Sequence, residues 1–402
     1  MIGLNTLATL VVAAGASLFM AWTIGAGSSG STPFAPAVGA NAISVMRAGF
    51  VVGLLGFAGA VFQGANVSAT IGKSLVDGVI LSPIAVVVAL FTAAALVALG
   101  VYTGYPIATA FTVTGAVVGV GIARGGNPAW ATYRQIVGLW VAVPFVGSFL
   151  AYTTASLLRD ERVSERIAVP VLAGIVGLTL ANIEFVFLGS SGESTSLAAV
   201  TAPSLASLPL VDVTLAQLAV SLTVAVGCGS VVASDVRSDA TAGQRRFLLV
   251  LGGLVAFSAG GSQVGLAVGP LLPLRDTVSI PVVWLLVGGG IGLLVGSWTG
   301  APRLIKALAR DYSSLGPRRS IAALIPSFLI AQAAILFGIP VSFNEVIVSG
   351  IIGSGYAAGG SDVSKQKILY TIAGWVGSLA LSLGIGYAVY SVVTGVFLKG
   401  GI

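Results

Sequence analysis

Histidine is absent from this chain of 402 residues, and cysteine occurs once. The first absence removes the commonest metal ligand and general base. The lone Cys228, set in an apolar run, excludes a disulfide framework within one chain and leaves the redox compartment unreadable. Charge is scarce too: Asp, Glu, Lys and Arg make up 8% of the residues, where an average soluble domain carries about 25%. A soluble globular fold is excluded. Period-two alternation, the mark of an outer-membrane barrel, is missing. The formal charge of +6 forms no stripe, because the basic residues fall in short loops between apolar segments, and this argues against a nucleic-acid partner.

What fills the chain is hydrophobic: 56% of the residues, with a mean hydropathy of +1.04. A run of roughly 20 apolar residues spans the hydrocarbon as a helix, and such runs recur over the whole length. The fold class is therefore all-α, a polytopic membrane protein with no soluble domain left over. The pattern predicts helices over 5–26, 45–64, 78–99, 130–158, 167–188, 210–234, 246–268, 279–299, 319–337 and 365–396. The stretch 5–26 lacks a basic leader and is longer than a signal core, so it reads as a mature helix.

Two passages 234 residues apart are near copies: GYPIATAFTVTGAVVGVGIARGG from Gly104 and GIPVSFNEVIVSGIIGSGYAAGG from Gly338. They share Gly104/Gly338, Pro106/Pro340, Gly119/Gly353, Gly121/Gly355, Ala123/Ala357, Gly125/Gly359 and Gly126/Gly360. Each breaks an apolar segment with Gly-x-Pro, and such a break is tolerated at bilayer depth only where the freed backbone groups meet protein or line a polar cavity. The pattern points to a transporter. Each broken element, about 104–123 and 338–357, reads as a re-entrant turn plus one net crossing, which gives about twelve transmembrane helices. With the N-terminus outside, fourteen of the nineteen basic residues fall on the cytoplasmic side, and Lys73, Arg124, Arg134, Arg275 and Lys399 remain outside. The two halves are then inverted repeats in the cytoplasmic membrane, multi-pass with both termini outside. The predicted organisation is 1–160 for the first repeat, 161–245 for two connector helices and a cytoplasmic loop, and 246–402 for the second repeat. The Ser-rich loop from Ser190 to Pro209 has no Lys or Arg and is expected outside.

A second repeated element closes the first helix of each half: AWTIGAGSSGS from Ala21 and AFSAGGSQVGLAVGP from Ala256, offset by 235. Small residues there let backbone amides approach a ligand closely.

On these motifs the chain resembles the PiT family of inorganic phosphate transporters, across essentially its whole length. That family repeats Gly-Ala-Asn-Asp-Val-Ala-Asn-Ala-x-Gly and Gly-x-Pro-x-Ser-Thr-Thr-His once per half. Ala21–Ala26 and Ala256–Gly260 match the approach to the first motif, Val268-Gly269-Pro270 its tail, and Gly104-Tyr105-Pro106 and Gly338-Ile339-Pro340 the second. The resemblance implies twelve helices, an inverted duplication and cation-coupled uptake of inorganic phosphate. The chain also departs from the pattern. The Asn-Asp pairs fall on Gly27-Ser28 and Ser262-Gln263, and the Ser-Thr-Thr-His runs on Ala108–Phe111 and Ser342–Glu345. A sodium ion would find only carbonyls, hydroxyls and amides at the former carboxylate positions. Asn344-Glu345 is similar to the sulfate-permease branch of the same family, so sulfate competes with phosphate as substrate, and the coupling ion stays open between Na+ and H+. No resident cofactor is implied.

A tetrahedral oxyanion held at mid-membrane needs donors and positive potential, since burying an unpaired charge is costly. Half-helix N-termini supply both, with no buried Lys or Arg required. The candidate substrate-binding residues are Thr109, Thr112, Ser342 and Asn344 in the first turns after the two prolines, with Ser28, Ser29, Ser262 and Gln263. The plainer alternative for each hydroxyl is a cap, or a bond to a carbonyl one turn earlier. Glu345 lies within an apolar segment, where a carboxylate is functional by default; it is the candidate coupling-ion residue, carrying a proton with the anion, against a purely neutral hydrogen-bonding role. Glu184, near an outer helix end, reads as interfacial. The Gly288–Gly292 run reads as close helix packing, and glycine-rich faces permit a homodimer. An anion channel and an intramembrane enzyme are the other function classes. The enzyme lacks the His, the paired carboxylates and the nucleophile elbow that such chemistry uses.

Overall fold

The computed structural model describes residues 4–189, 194–207, 212–274, 280–361 and 363–397. Arg275 and Lys399 of the charge count, both chain ends and part of the Ser190–Pro209 loop lie outside the described residues. Among those described there are sixteen α-helices, and ten of them are long and apolar enough to cross a membrane. They are α1 (Leu4–Ile24), α2 (Ala35–Gly39), α3 (Val45–Gln63), α4 (Ala65–Lys73), α5 (Pro83–Thr103), α6 (Thr109–Ala123), α7 (Trp130–Arg159), α8 (Glu165–Asn182), α9 (Leu197–Leu205) and α10 (Val213–Ser238). There follow α11 (Ala240–Val268), α12 (Val282–Thr299), α13 (Ala301–Arg310), α14 (Pro317–Leu336), α15 (Phe343–Tyr356) and α16 (Lys365–Phe397). The ten long helices are the ten predicted from hydropathy.

Local chemistry moves several boundaries. Ser82 accepts from the Ala85 amide at 3.3 Å and Pro83 opens α5, so that helix starts later than hydropathy alone suggests. Asp239 accepts from the Thr241 and Ala242 amides at 2.9 and 3.0 Å and starts α11 ahead of its apolar core. The predicted helix over 167–188 is a correction: α8 ends at Asn182, and Glu184–Phe185 pairs antiparallel with Thr195–Ser196, because this β-branched and aromatic run suits an extended chain. The Ser-rich loop is another, since Ser196 accepts from the Ala199 amide at 3.2 Å and caps α9. Among the described residues the stretch before α11 thus holds three helices, α8, α9 and α10, where two were expected.

Copies of one another pack reciprocally. α1 packs on α5 and on α12, as α11 packs on α14 and on α3; α6 lies along α16, as α15 lies along α7. α1 and α11, and α3 and α12, also meet directly, each pair running antiparallel. Ser17 in α1 donates to the Ala267 carbonyl in α11 at 2.9 Å, whereas Ser28, further along, donates to Gln263, earlier in α11. Trp298 in α12 donates to the Phe50 carbonyl in α3 at 3.2 Å, and a Cβ on Gly290 would meet Phe57. The α3–α11 crossing is backbone on backbone: a Cβ on Gly260 would lie 1.8 Å from the Gly56 oxygen, and one on Gly59 1.8 Å from the Phe257 oxygen. Gly289, Gly290 and Gly292 likewise face side chains of α11, α3 and α1, as close packing requires.

Candidate functional site

Both Gly-x-Pro passages break the chain in the same way. Gly104 and Gly338 take the left-handed conformation, at φ +80° and +64°, and end α5 and α14. The residue is glycine because a Cβ there would clash with its own carbonyl. An extended stretch through the proline follows, and α6 and α15 then open at Ala108 and Ser342, neither of which caps its helix with a side chain. The first intrahelical bonds are Thr112 N to Ala108 O and Val346 N to Ser342 O, both 3.0 Å, so the amides ahead of them have no carbonyl within the helix.

These two N-termini converge on Gln263. Thr109, at the start of α6, donates to Gln263 Oε1 at 2.7 Å, and Ser28 donates to the same oxygen at 3.1 Å. Gln263 Nε2 donates to the Val341 carbonyl, just ahead of α15, at 2.6 Å. Asn344 Nδ2 in α15 donates to the Gly27 and Ile107 carbonyls at 2.9 and 2.6 Å. One polar knot therefore ties α1, α6, α11 and α15 together. Ser28 sits in a π-helical turn, Gly25–Ser29, that extends α1, and Ser29 is buried beside it.

All nine predicted site residues are buried, and Ser28, Thr109, Gln263 and Asn344 form the knot. Ser262 Oγ, Ser342 Oγ, Asn344 Oδ1 and Glu345 Oε2 are buried without a hydrogen-bond partner, a costly arrangement that a ligand would relieve. Thr112 is different. Its hydroxyl donates to the Ala108 carbonyl at 2.9 Å, so it is spent on the turn before it. Among the described residues Glu345 is the one buried Asp, Glu, Lys or Arg, so positive potential at the site comes from the two helix ends, roughly half a unit charge each.

Two residues that the motif reading missed hold the prolines in place. Trp140 of α7 donates through Nε1 to the Pro340 carbonyl, and Trp375 of α16 to the Pro106 carbonyl, both at 2.8 Å. Each half thus clamps the broken helix of the other. The signal was present, since Trp140 and Trp375 stand at the same 235-residue offset as Ser28 and Gln263. We expect Trp140→Phe and Trp375→Phe each to cost about 1 kcal/mol in mixed-micelle unfolding titrations. The double variant should lose the sum, because the two bonds share no partner. A neutral double variant would show that the clamps carry no weight.

The description "Phosphate transporter family" matches residues 24–386 of this chain. A protein of Thermococcus kodakarensis, proposed by its name to be a phosphate permease, is 25% identical over 92% of this chain and 93% of its own length. Inorganic phosphate transporter 2-1, chloroplastic, of Arabidopsis thaliana is 22% identical over 95% of this chain and 71% of that protein. Among solved structures, one titled the sodium-dependent phosphate transporter superposes with a TM-score of 0.80, covering 97% of this chain and 100% of that one at 23% identity, which establishes a common fold.

Proposed function

The chain belongs to the phosphate transporter family, and from that premise we propose that it is a secondary transporter carrying inorganic phosphate across the cytoplasmic membrane by alternating access. The observation that carries this reading is the meeting of two half-helix N-termini at Gln263, with unpartnered polar oxygens around them. With α6 and α15 counted as crossings the chain spans the bilayer twelve times. The antiparallel course of α1 and α11 supports an inverted duplication, with 1–160 and 246–402 as repeats, 161–245 as connector, and both termini outside.

Chemistry favours phosphate over sulfate. Near neutral pH phosphate keeps a proton and can donate to an acceptor such as Asn344 Oδ1, whereas sulfate brings no donor and presents lone pairs to that oxygen. The backbone amides of Thr109–Phe111 and Phe343–Glu345 would receive the remaining oxygens, as at other helix N-termini. Glu345 carries the coupling proton in this reading: it stands in the first turn of α15, within the site, and exchanges a proton as the site changes sides.

The test is uptake of radiolabelled phosphate into liposomes under sodium or pH gradients, with unlabelled sulfate as competitor. Saturable uptake driven by an inward proton gradient is expected, and a rate that never saturates would mean a channel. Glu345→Gln should abolish the response to the pH gradient while phosphate exchange at equal pH continues. A variant that still accumulates phosphate against its gradient, driven by pH alone, would remove Glu345 from coupling.

A further inference from the structure

A cavity of about 710 Å³ lies away from the knot, between the C-terminal ends of α3, α8 and α14. In the orientation proposed above this is the outer face. Its volume falls in the range of ligand pockets, and polar groups line it: Gln63, Asn66, Asn182, Ser194 and Gln332. Glu184 is the one charged residue among its described lining residues, and its carboxylate accepts from Ser194 at 2.9 Å.

Toward the protein interior the cavity meets two amides. Gln63 of α3 and Gln332 of α14 bond reciprocally, each Nε2 to the other's Oε1 at 3.4 Å, long for such bonds and therefore weak, and Gln63 Nε2 also donates to the Glu184 carbonyl at 3.1 Å. Both residues are buried, at 5% and 6% exposure. Gln332 Nε2 also donates to Ser258 Oγ in α11 at 2.6 Å. Ser258 stands one helical turn before Ser262 on the same face of α11, and Ser262 Oγ is buried and unpartnered. Cavity, amide pair, Ser258 and Ser262 thus form a continuous polar line to the central site. Gly261 makes room for it, since a Cβ there would lie 2.8 Å from Gln63 Cβ.

Among the described residues the opposite face has no such line. The duplication places Trp298 and Val97 where Gln63 and Gln332 stand. Val97 and Val101 close on Gly27, whose added Cβ would lie 2.6 Å from Val101 Cγ2, and Trp298 stacks on Phe50 with centroids 5.1 Å apart. One face offers exchangeable amides and the other apolar packing.

We propose that this cavity is the outer access vestibule and that the Gln63–Gln332 pair is its gate, parting to admit the oxyanion to Ser262. Neutral amides suit the task, because they can bond to a passing anion without trapping it by charge. The proposal rests on the transporter reading, but its test does not need transport. In a Cys228→Ser background, Asn182→Cys should react with a membrane-impermeant maleimide from one side, and Ser258→Cys should react slowly from that side. Adding Gln63→Ala and Gln332→Ala removes the two reciprocal bonds together with those to the Glu184 carbonyl and to residue 258, and should speed Ser258→Cys labelling by roughly tenfold or more. Unchanged labelling of Ser258→Cys, or labelling from the other side alone, overturns the gate. If the alanine pair does not fold, a thiol crosslinker joining Gln63→Cys to Gln332→Cys gives the complementary result. Phosphate uptake should stop when the pair is joined and return when a cleavable linker is cut, and uptake that persists through the crosslink overturns the gate as well. Faster labelling in a protein that moves no phosphate would instead sink the transport reading and leave the gate standing.

Discussion

Replacing Gln263 by leucine should lower phosphate uptake by at least about a hundredfold without unfolding the protein. Leucine keeps the volume of the side chain, but three partners lose their bonds: Ser28 and Thr109, which donate to Oε1, and the Val341 carbonyl, which accepts from Nε2. Each buried polar group left unpaired costs about 1–3 kcal/mol, and roughly 1.4 kcal/mol is a factor of ten in rate. Two of the three losses acting on the occupied state give the stated size. The three partners stand at the ends of α1, α6 and α15, so their loss also lets the two N-termini drift from the point they share. Gln263→Glu separates the terms, because it keeps an acceptor for Ser28 and Thr109 while bringing negative charge toward the anion, and it should be as inactive as leucine at neutral pH. Initial rates in liposomes decide the matter. A leucine variant working near the parental rate would show that the knot is scaffold and that phosphate binds elsewhere.

The second large effect is structural. Gly260→Ala and Gly59→Ala should each prevent recovery of folded protein, because the added methyl meets the Gly56 or the Phe257 carbonyl oxygen at 1.8 Å. Overpacking ordinarily costs about 1–3 kcal/mol through side-chain shifts, but here the obstacle is backbone on both sides and α3 must leave α11. That displacement also disturbs Ser258 and Ser262 on α11. Gly288→Ala is the control, since nothing lies within 4 Å of its added Cβ. Size-exclusion profiles and thermal unfolding in detergent distinguish the three. A Gly260→Ala protein melting with the parent would mean that the crossing is looser than described.

The ten long helices were legible because a bilayer imposes a length and a polarity that any sequence must meet. The broken helices were legible for a similar reason, since Gly-x-Pro leaves few local options. Helix ends were less so: α8 stops at Asn182 because Glu184–Phe185 just beyond it pairs antiparallel with Thr195–Ser196, and α9 hides in a stretch whose serines read as loop. Within the site, the two motif pairs named the right residues without naming their partners. Thr109 and Thr112 look equivalent on paper, yet one reaches Gln263 and the other bonds to its own preceding turn. Gln63 and Gln332 stand outside both repeated motifs and emerged only from the packing of α3 against α14.

The sequence alone determined that this is a duplicated all-α membrane protein with two interrupted helices, because apolar length, glycine and proline act locally and their copies are spaced by a fixed offset. Only the tertiary structure decided that the two interruptions face one another and that Ser28 meets Gln263. Those depend on bonds between residues hundreds of positions apart, and such bonds form only after the helices have packed.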